Sequence, residues 1–171
     1  LVFEESVMWM DDGVRFFHTP GHTRDSASCY DERDQVLFVG DNIEHPMPYL
    51  NSLDFQTYLD TLNSYRKMEW KSLVTGHDAV QTDSTLLLAN REYISKMIQW
   101  DVDVFNLDNH ALNIHIHNLS KLASHLLQGK IKRKISKHFA EAIGRVSQVK
   151  DLEIDEQLMR RLKEVAGKNQ A

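Results

Sequence analysis

Apolar and polar residues alternate through the first half of the chain, whereas apolar residues recur every three or four positions through the second, with the change near residue 80. "SVMWM" and "VRFF", separated by "DDG", predict a strand, a tight turn and a strand, because Asp12-Gly13 supplies the positive-φ positions that a short hairpin needs. "SASCY" and "VLFVG", joined by the charged turn "DERDQ", predict a second pair. Residues 54 to 69 place Phe55, Leu59, Leu62 and Arg66 along one face with Asp54 as N-cap, which predicts a helix. "SLVTGHD" predicts a short buried strand that ends in a polar loop. From Asp83 onward the pattern is helical. Leu112, Ile116, Leu119, Ala123 and Leu126 follow a 4-3-4-3 spacing that predicts a packing seam. Ile131, Ile135, Phe139, Ala142 and Val146 continue an apolar stripe, and a last helix is expected between an Asp155 cap and Gly167. The predicted order is ββ-ββ-α-β and then three or four helices, an α/β portion over residues 1–82 and a helical C-terminal region over residues 83–171.

At 171 residues, 42% hydrophobic and 26% charged, the chain can form one globular domain with a smaller appendage. Its formal charge of -5, from 25 acidic and 20 basic residues, gives no general reason to expect a nucleic-acid partner. The basic stretch at residues 130 to 138 reads as a solvated helix face. A single cysteine, Cys29, excludes an internal disulfide framework and fits a reducing, cytoplasmic compartment. There is no run of about 18 apolar residues, so no membrane span is expected. The chain begins at Leu1 rather than Met, so its natural start is expected upstream.

Chemistry concentrates in "HTPGHT", "VGD" and "TGHD", each of which follows an apolar run. This places His22, Asp41 and His77 on loops at strand ends, where one sheet edge can bring them together. Two imidazoles and a carboxylate suit zinc, iron or manganese. The alternative, that His18 and His22 are surface turn residues and Gly40-Asp41 a simple turn, stays open on the pattern alone. His18 reads as a packed strand-end histidine. Thr23 and Ser26 read as hydroxyls that satisfy the local backbone. His115 and His117, two apart on a helix, point about 200° away from each other and cannot share an ion. Surface or packing roles are expected for them, as for His110, His125 and His138.

"HTPGHTRDSASCYDERDQVLFVGD" followed by Gly76-His77 resembles the second half of the metallo-β-lactamase superfamily, over residues 2 to 78. The resemblance implies the second ββα half of an αββα sandwich, with His22 and His77 as ligands of different metals and Asp41 bridging the two. It implies metal-assisted hydrolysis by a bimetal-activated water, with two zinc ions, or iron or manganese instead. The family's earlier His-x-His-x-Asp-His motif does not occur in the chain, whose one His-x-His continues with Asn118, Leu119 and Ser120. The chain alone is therefore expected to be inactive, with the N-terminal half of the fold as its missing partner. Aspartate at position 41 resembles the thioesterase, lactonase and phosphodiesterase branches, and the helices after His77 resemble glyoxalase II-like thioesterases. A small-molecule thioester, lactone or phosphoester substrate follows. The resemblance leaves a di-iron oxidoreductase or a non-catalytic assembly module as alternatives. The helical tail is expected to pack on itself and to support a homo-oligomer.

Overall fold

In the computed structural model, which describes residues 5–127, 137–149 and 160, five strands form one sheet and lie in chain order. They are β1 (Ser6–Trp9), β2 (Val14–His18), β3 (Ala27–Asp31), β4 (Val36–Gly40) and β5 (Ser72–Thr75). The first four make an antiparallel meander, and β5 pairs parallel to β4. A parallel pair needs a crossover, which helix α1 (Phe55–Lys67) provides, and helix α2 (Thr85–Gln99) follows β5. The expected α/β half-fold with a helical C-terminal region is therefore the observed one.

Local chemistry explains the punctuation. Gly13 adopts φ +70° in the first hairpin and donates its N–H to Trp9 O at 3.0 Å. In the second, Asp31 Oδ1 accepts from the N–H groups of Arg33 and Asp34 at 2.9 and 3.1 Å, while the positive φ falls on Gln35. Asp54 caps α1 by accepting from Thr57 N at 3.1 Å, and Arg66 and Lys67 complement the dipole at the other end.

The buried face of α1 is Phe55, Tyr58, Thr61, Leu62 and Tyr65, rotated from the expected stripe, so Leu59 is half-buried and Arg66 exposed. The tyrosines displace the expected residues because their hydroxyls find partners inside. Tyr58 donates to Asn42 O at 2.9 Å, and Tyr65 Oη lies 2.6 Å from Ser28 Oγ. Leu37 and Val39 are 0% and 1% exposed on the side of the sheet that is covered. Strand side chains alternate between faces, and it is the other set, Phe16, Cys29, Phe38 and Val74 in cross-strand register, that forms the open face. Trp9 joins this set at 5.0 Å from the Phe16 ring, and Trp9 and Phe38 remain 49% and 42% exposed.

The chain divides into two compact units, Leu1–Ile98 and Gln99–Ala171. The helical pattern starts near residue 83, but the contact boundary lies after Ile98, so nearly all of α2 belongs to the first unit. The second unit holds a 3-10 turn (Val104–Asn106), helix α3 (Asn109–Leu127) and helix α4 (Lys137–Val146). In α3, Leu112, Leu119 and Ala123 of the expected seam are buried, Ile116 is half-buried, and His115, Asn118 and Leu122 widen the stripe. Phe139, Ala142, Ile143 and Val146 form the buried face of α4. Trp100 packs edge-on against Phe139 with ring centroids 4.6 Å apart, and the Arg145 guanidinium donates to Trp100 O. Ile131, Ile135, most of the basic stretch and the expected helix from Asp155 to Gly167 lie outside the described residues, as does the Leu126 side chain. Among the described residues no helix is long and apolar enough to cross a membrane.

His110, His117 and His138 are exposed and His125 is half-buried, whereas His115 is 2% exposed. Burial, reinforced by the Arg145 guanidinium, lowers the His115 pKa from 6.5 to about 4. The neutral ring is thus the folded form. Above pH 6.5 neither state is protonated and the helical unit keeps its full stability. As pH falls from 6.5 toward 4 the unfolded chain takes up a proton that the folded chain refuses, which removes roughly 3 kcal/mol. Chemical unfolding of this unit should therefore weaken over that window in the wild type, and His115→Gln should flatten the dependence. An identical pH slope in the variant would show that His115 does not carry the effect.

Candidate metal centre

The strand directions determine where the polar loops meet. β2 is antiparallel to β3, and β3 to β4, so β2 runs parallel to β4, as β5 does. The C-terminal ends of β2, β4 and β5 therefore share one sheet edge, and the loops carrying His22, Asp41 and His77 leave from it. The carboxyl ends of parallel strands are where α/β sheets place ligands. Asp41 and His77 follow β4 and β5 directly, and Gly76 N–H donates to Gly40 O at 3.1 Å, closing the pair. Gly76 is required by space. A Cβ there would fall on Asp41 Oδ1, so any side chain would push the carboxylate aside.

His77 Nε2 lies 3.4 Å from Asp41 Oδ1, with the two side chains 71% and 43% exposed. Glu44, absent from the expected set, joins them. One ligand atom each from Asp41, Glu44 and His77 lie within 4.8 Å of one another. Glu44 is only 8% exposed. Its backbone is gripped by the fully buried Asn90 of α2, whose Oδ1 accepts from Glu44 N and whose Nδ2 donates to Glu44 O, both at 2.9 Å. Tyr49 N–H donates to Glu44 Oε2 at 2.8 Å. Burial pushes the Glu44 carboxyl above its ordinary pKa and Asp41 pushes the same way, opposed by the Tyr49 N–H and by the imidazoles of His22 and His77. His22 is thus within electrostatic range of the group without being one of its three members.

The turn that carries His22 is built on Asn42. Asn42 Oδ1 accepts from His22 N at 2.9 Å, and Asn42 Nδ2 donates to Thr19 O at 2.8 Å and to Tyr65 Oη at 2.9 Å. Thr61 Oγ1 donates to Pro20 O at 2.7 Å. Gly21 sits so close to this scaffold that a Cβ would lie 2.5 Å from the Tyr58 ring. Burial raises the pKa of both Tyr58 and Tyr65, so they act as neutral phenols. Ser26 Oγ pairs with Thr23 Oγ1 at 2.9 Å and with Thr23 N at 3.1 Å, closing the turn as expected of these hydroxyls. His18, expected to be packed, is exposed and its Nε2 contacts Arg24 O at 2.7 Å. That contact holds the ring to the loop backbone instead of the core.

Side-chain chemistry at this edge fits a divalent cation. Two ligands about 2.1 Å from a tetrahedral ion lie about 3.4 Å apart, the spacing found between Asp41 and His77. His22 Nε2 is held 2.6 Å from Asn51 Nδ2, and His22 Nδ1 is buried without a hydrogen-bond partner. On the Nδ1–H tautomer, Nε2 offers Asn51 the same lone pair that a metal would take. The pattern along the chain could not single out Glu44 or Asn42, because neither stands at a strand end. The available signal was a charged residue inside "DNIEHPMPYL", where Ile43, Met47 and Leu50 are all core.

Residues 1–77 match the family model of the metallo-beta-lactamase superfamily. No curated protein matches the chain. Among solved structures the chain is similar to VMB-1, with 19% identity over 57% of this chain and 47% of that one and a TM-score of 0.48. It is also similar to the DIM-1 metallo-beta-lactamase, with 18% identity over 55% and 47% and a TM-score of 0.44. For a metallo-beta-lactamase from Pontibacter korlensis the figures are 20%, 54% and 47%, with a TM-score of 0.44. The chain thus spans about half the length of these solved structures.

Proposed function

Because residues 1–77 belong to the metallo-beta-lactamase superfamily, we propose that this chain supplies His22, Asp41 and His77 to the metal centre of a hydrolase that cleaves a small-molecule thioester, lactone or phosphoester. The contact between Asp41 and His77 at 3.4 Å, across the parallel β4–β5 pair, is the observation that carries this reading. Divalent cations bound there, zinc by the family resemblance, would supply a hydroxide near neutral pH and polarise the oxygen under attack. The residues of the chain hold and orient. Asp41 and His77 would hold the cations beside the β4–β5 pair. His22 Nε2, now against Asn51, would be a further ligand, while Asn42 keeps its backbone in place. Aspartate rather than cysteine at position 41 supports the ester and thioester classes over β-lactams.

The open face bearing Trp9, Phe16 and Phe38 is the surface onto which a first ββα half would pack, bringing the remaining ligands. Hydrolysis is expected only from that assembly. In it, Asp41→Ala should abolish bimetallic occupancy and turnover together while leaving the fold intact, as read by elemental analysis, calorimetry and circular dichroism. Near-normal turnover in the variant would remove the bridging role.

A further inference from the structure

The geometry points to Glu44 as a metal-facing carboxylate, so that Asp41, Glu44 and His77 together hold one divalent first-row cation without help from any other chain. This rests on the reading of the edge as a metal centre and adds a residue that strand-end position does not identify. Three observations converge on it. Ligand atoms of the three side chains already lie within 4.8 Å of one another. Glu44 is 8% exposed yet stands beside a second carboxylate, a placement that low dielectric penalises unless a cation compensates it. It is also fixed rather than incidental, because Asn90 grips both its backbone N–H and its carbonyl and the Tyr49 N–H holds one carboxylate oxygen. Two carboxylates and one imidazole make an oxygen-rich donor set, suited to manganese or zinc.

Cobalt(II) is the probe, titrated into the 171-residue chain and followed by its visible absorption and by calorimetry. The wild type should bind one Co2+ per chain, with charge-transfer-free d–d bands of mixed nitrogen and oxygen ligation. Glu44→Gln keeps the shape and an acceptor for the Tyr49 N–H, so the fold should persist. Its Co2+ affinity should fall more than about 100-fold, beyond the 10- to 100-fold typical of a residue that only orients a ligand, and the d–d bands should change. Without metal, its melting temperature should be unchanged or higher, because two neighbouring carboxylates become one. Should Glu44→Gln fail to fold, Glu44→Asp decides the matter, since it retains charge but withdraws the ligand atom. An affinity and spectrum like the wild type's in the folded variant would overturn the role of Glu44 while leaving Asp41 and His77 as ligands. Absence of any Co2+ binding by the wild-type chain would overturn this inference, whereas the metal centre of the assembled protein is decided by its Asp41→Ala variant.

Discussion

Leu119→Asp should unfold the helical unit. Leu119 is 3% exposed on α3, on the same buried stripe as Leu112, Leu122 and Ala123. Removing it forfeits about 1.5–3 kcal/mol of apolar burial, and an unpaired carboxylate in that position adds a desolvation cost of several kcal/mol. Together these reach roughly 5 kcal/mol or more, comparable with the whole stability of a small folded unit. The neighbouring stripe is apolar apart from His115 and Asn118. Thermal unfolding followed by circular dichroism should lose the transition of this unit, and light scattering should report any change in mass. A variant with the wild-type melting temperature would show that residues 105 to 127 are not a packed core.

Asn42→Ala should weaken the first unit and its metal affinity together. Asn42 is 1% exposed and binds Thr19 O, Tyr65 Oη and the His22 N–H with one amide. Truncation leaves the buried Thr19 carbonyl short of its amide donor, while the Tyr65 hydroxyl keeps Ser28 Oγ, so a loss of about 1–3 kcal/mol is expected in urea unfolding. The same cut frees the His22 turn from the residue next to Asp41. Metal affinity of the assembled protein should therefore fall further than stability alone explains, in the range of 10- to 100-fold found for groups that orient a ligand. Wild-type stability in Asn42→Ala would show that the amide network contributes nothing net; unchanged metal affinity would show that the His22 turn holds itself.

How much of this was legible in the chain depends on which physics decides each feature. Turns and caps are local, and Gly13, Asp54 and the strand-ending Gly40-Asp41 and Gly76-His77 behave as the pattern predicts, although Asp12 does not share the positive φ of Gly13. Faces are not local. Alternation says that Leu37 and Val39 share a side and that Phe38 does not, but only α1 decides which side is covered. The helix face shifted because Tyr58 and Tyr65, polar at one atom, bury as fully as leucine once Asn42 and Ser28 meet their hydroxyls. Within the candidate metal centre, Asp41 and His77 could be anticipated from strand ends. Glu44 could not, because its position depends on Asn90, 46 residues further along the chain. The structure also places His22 against Asn51, a contact with no signature in spacing or composition.

The single parallel pairing in the sheet also sets an order of assembly. The meander from β1 to β4 forms from near neighbours, and each turn brings its two strands together over a short loop. β5 can dock only after the connection through α1 has closed, since it is the long crossover that delivers it beside β4. Loop closure must be met before such a distant pairing is rewarded, so this step is expected to be the slowest in forming the sheet. Asp41 and His77 are neighbours only through that docking. The contact between Asp41 and His77 is thus completed by the last strand to arrive.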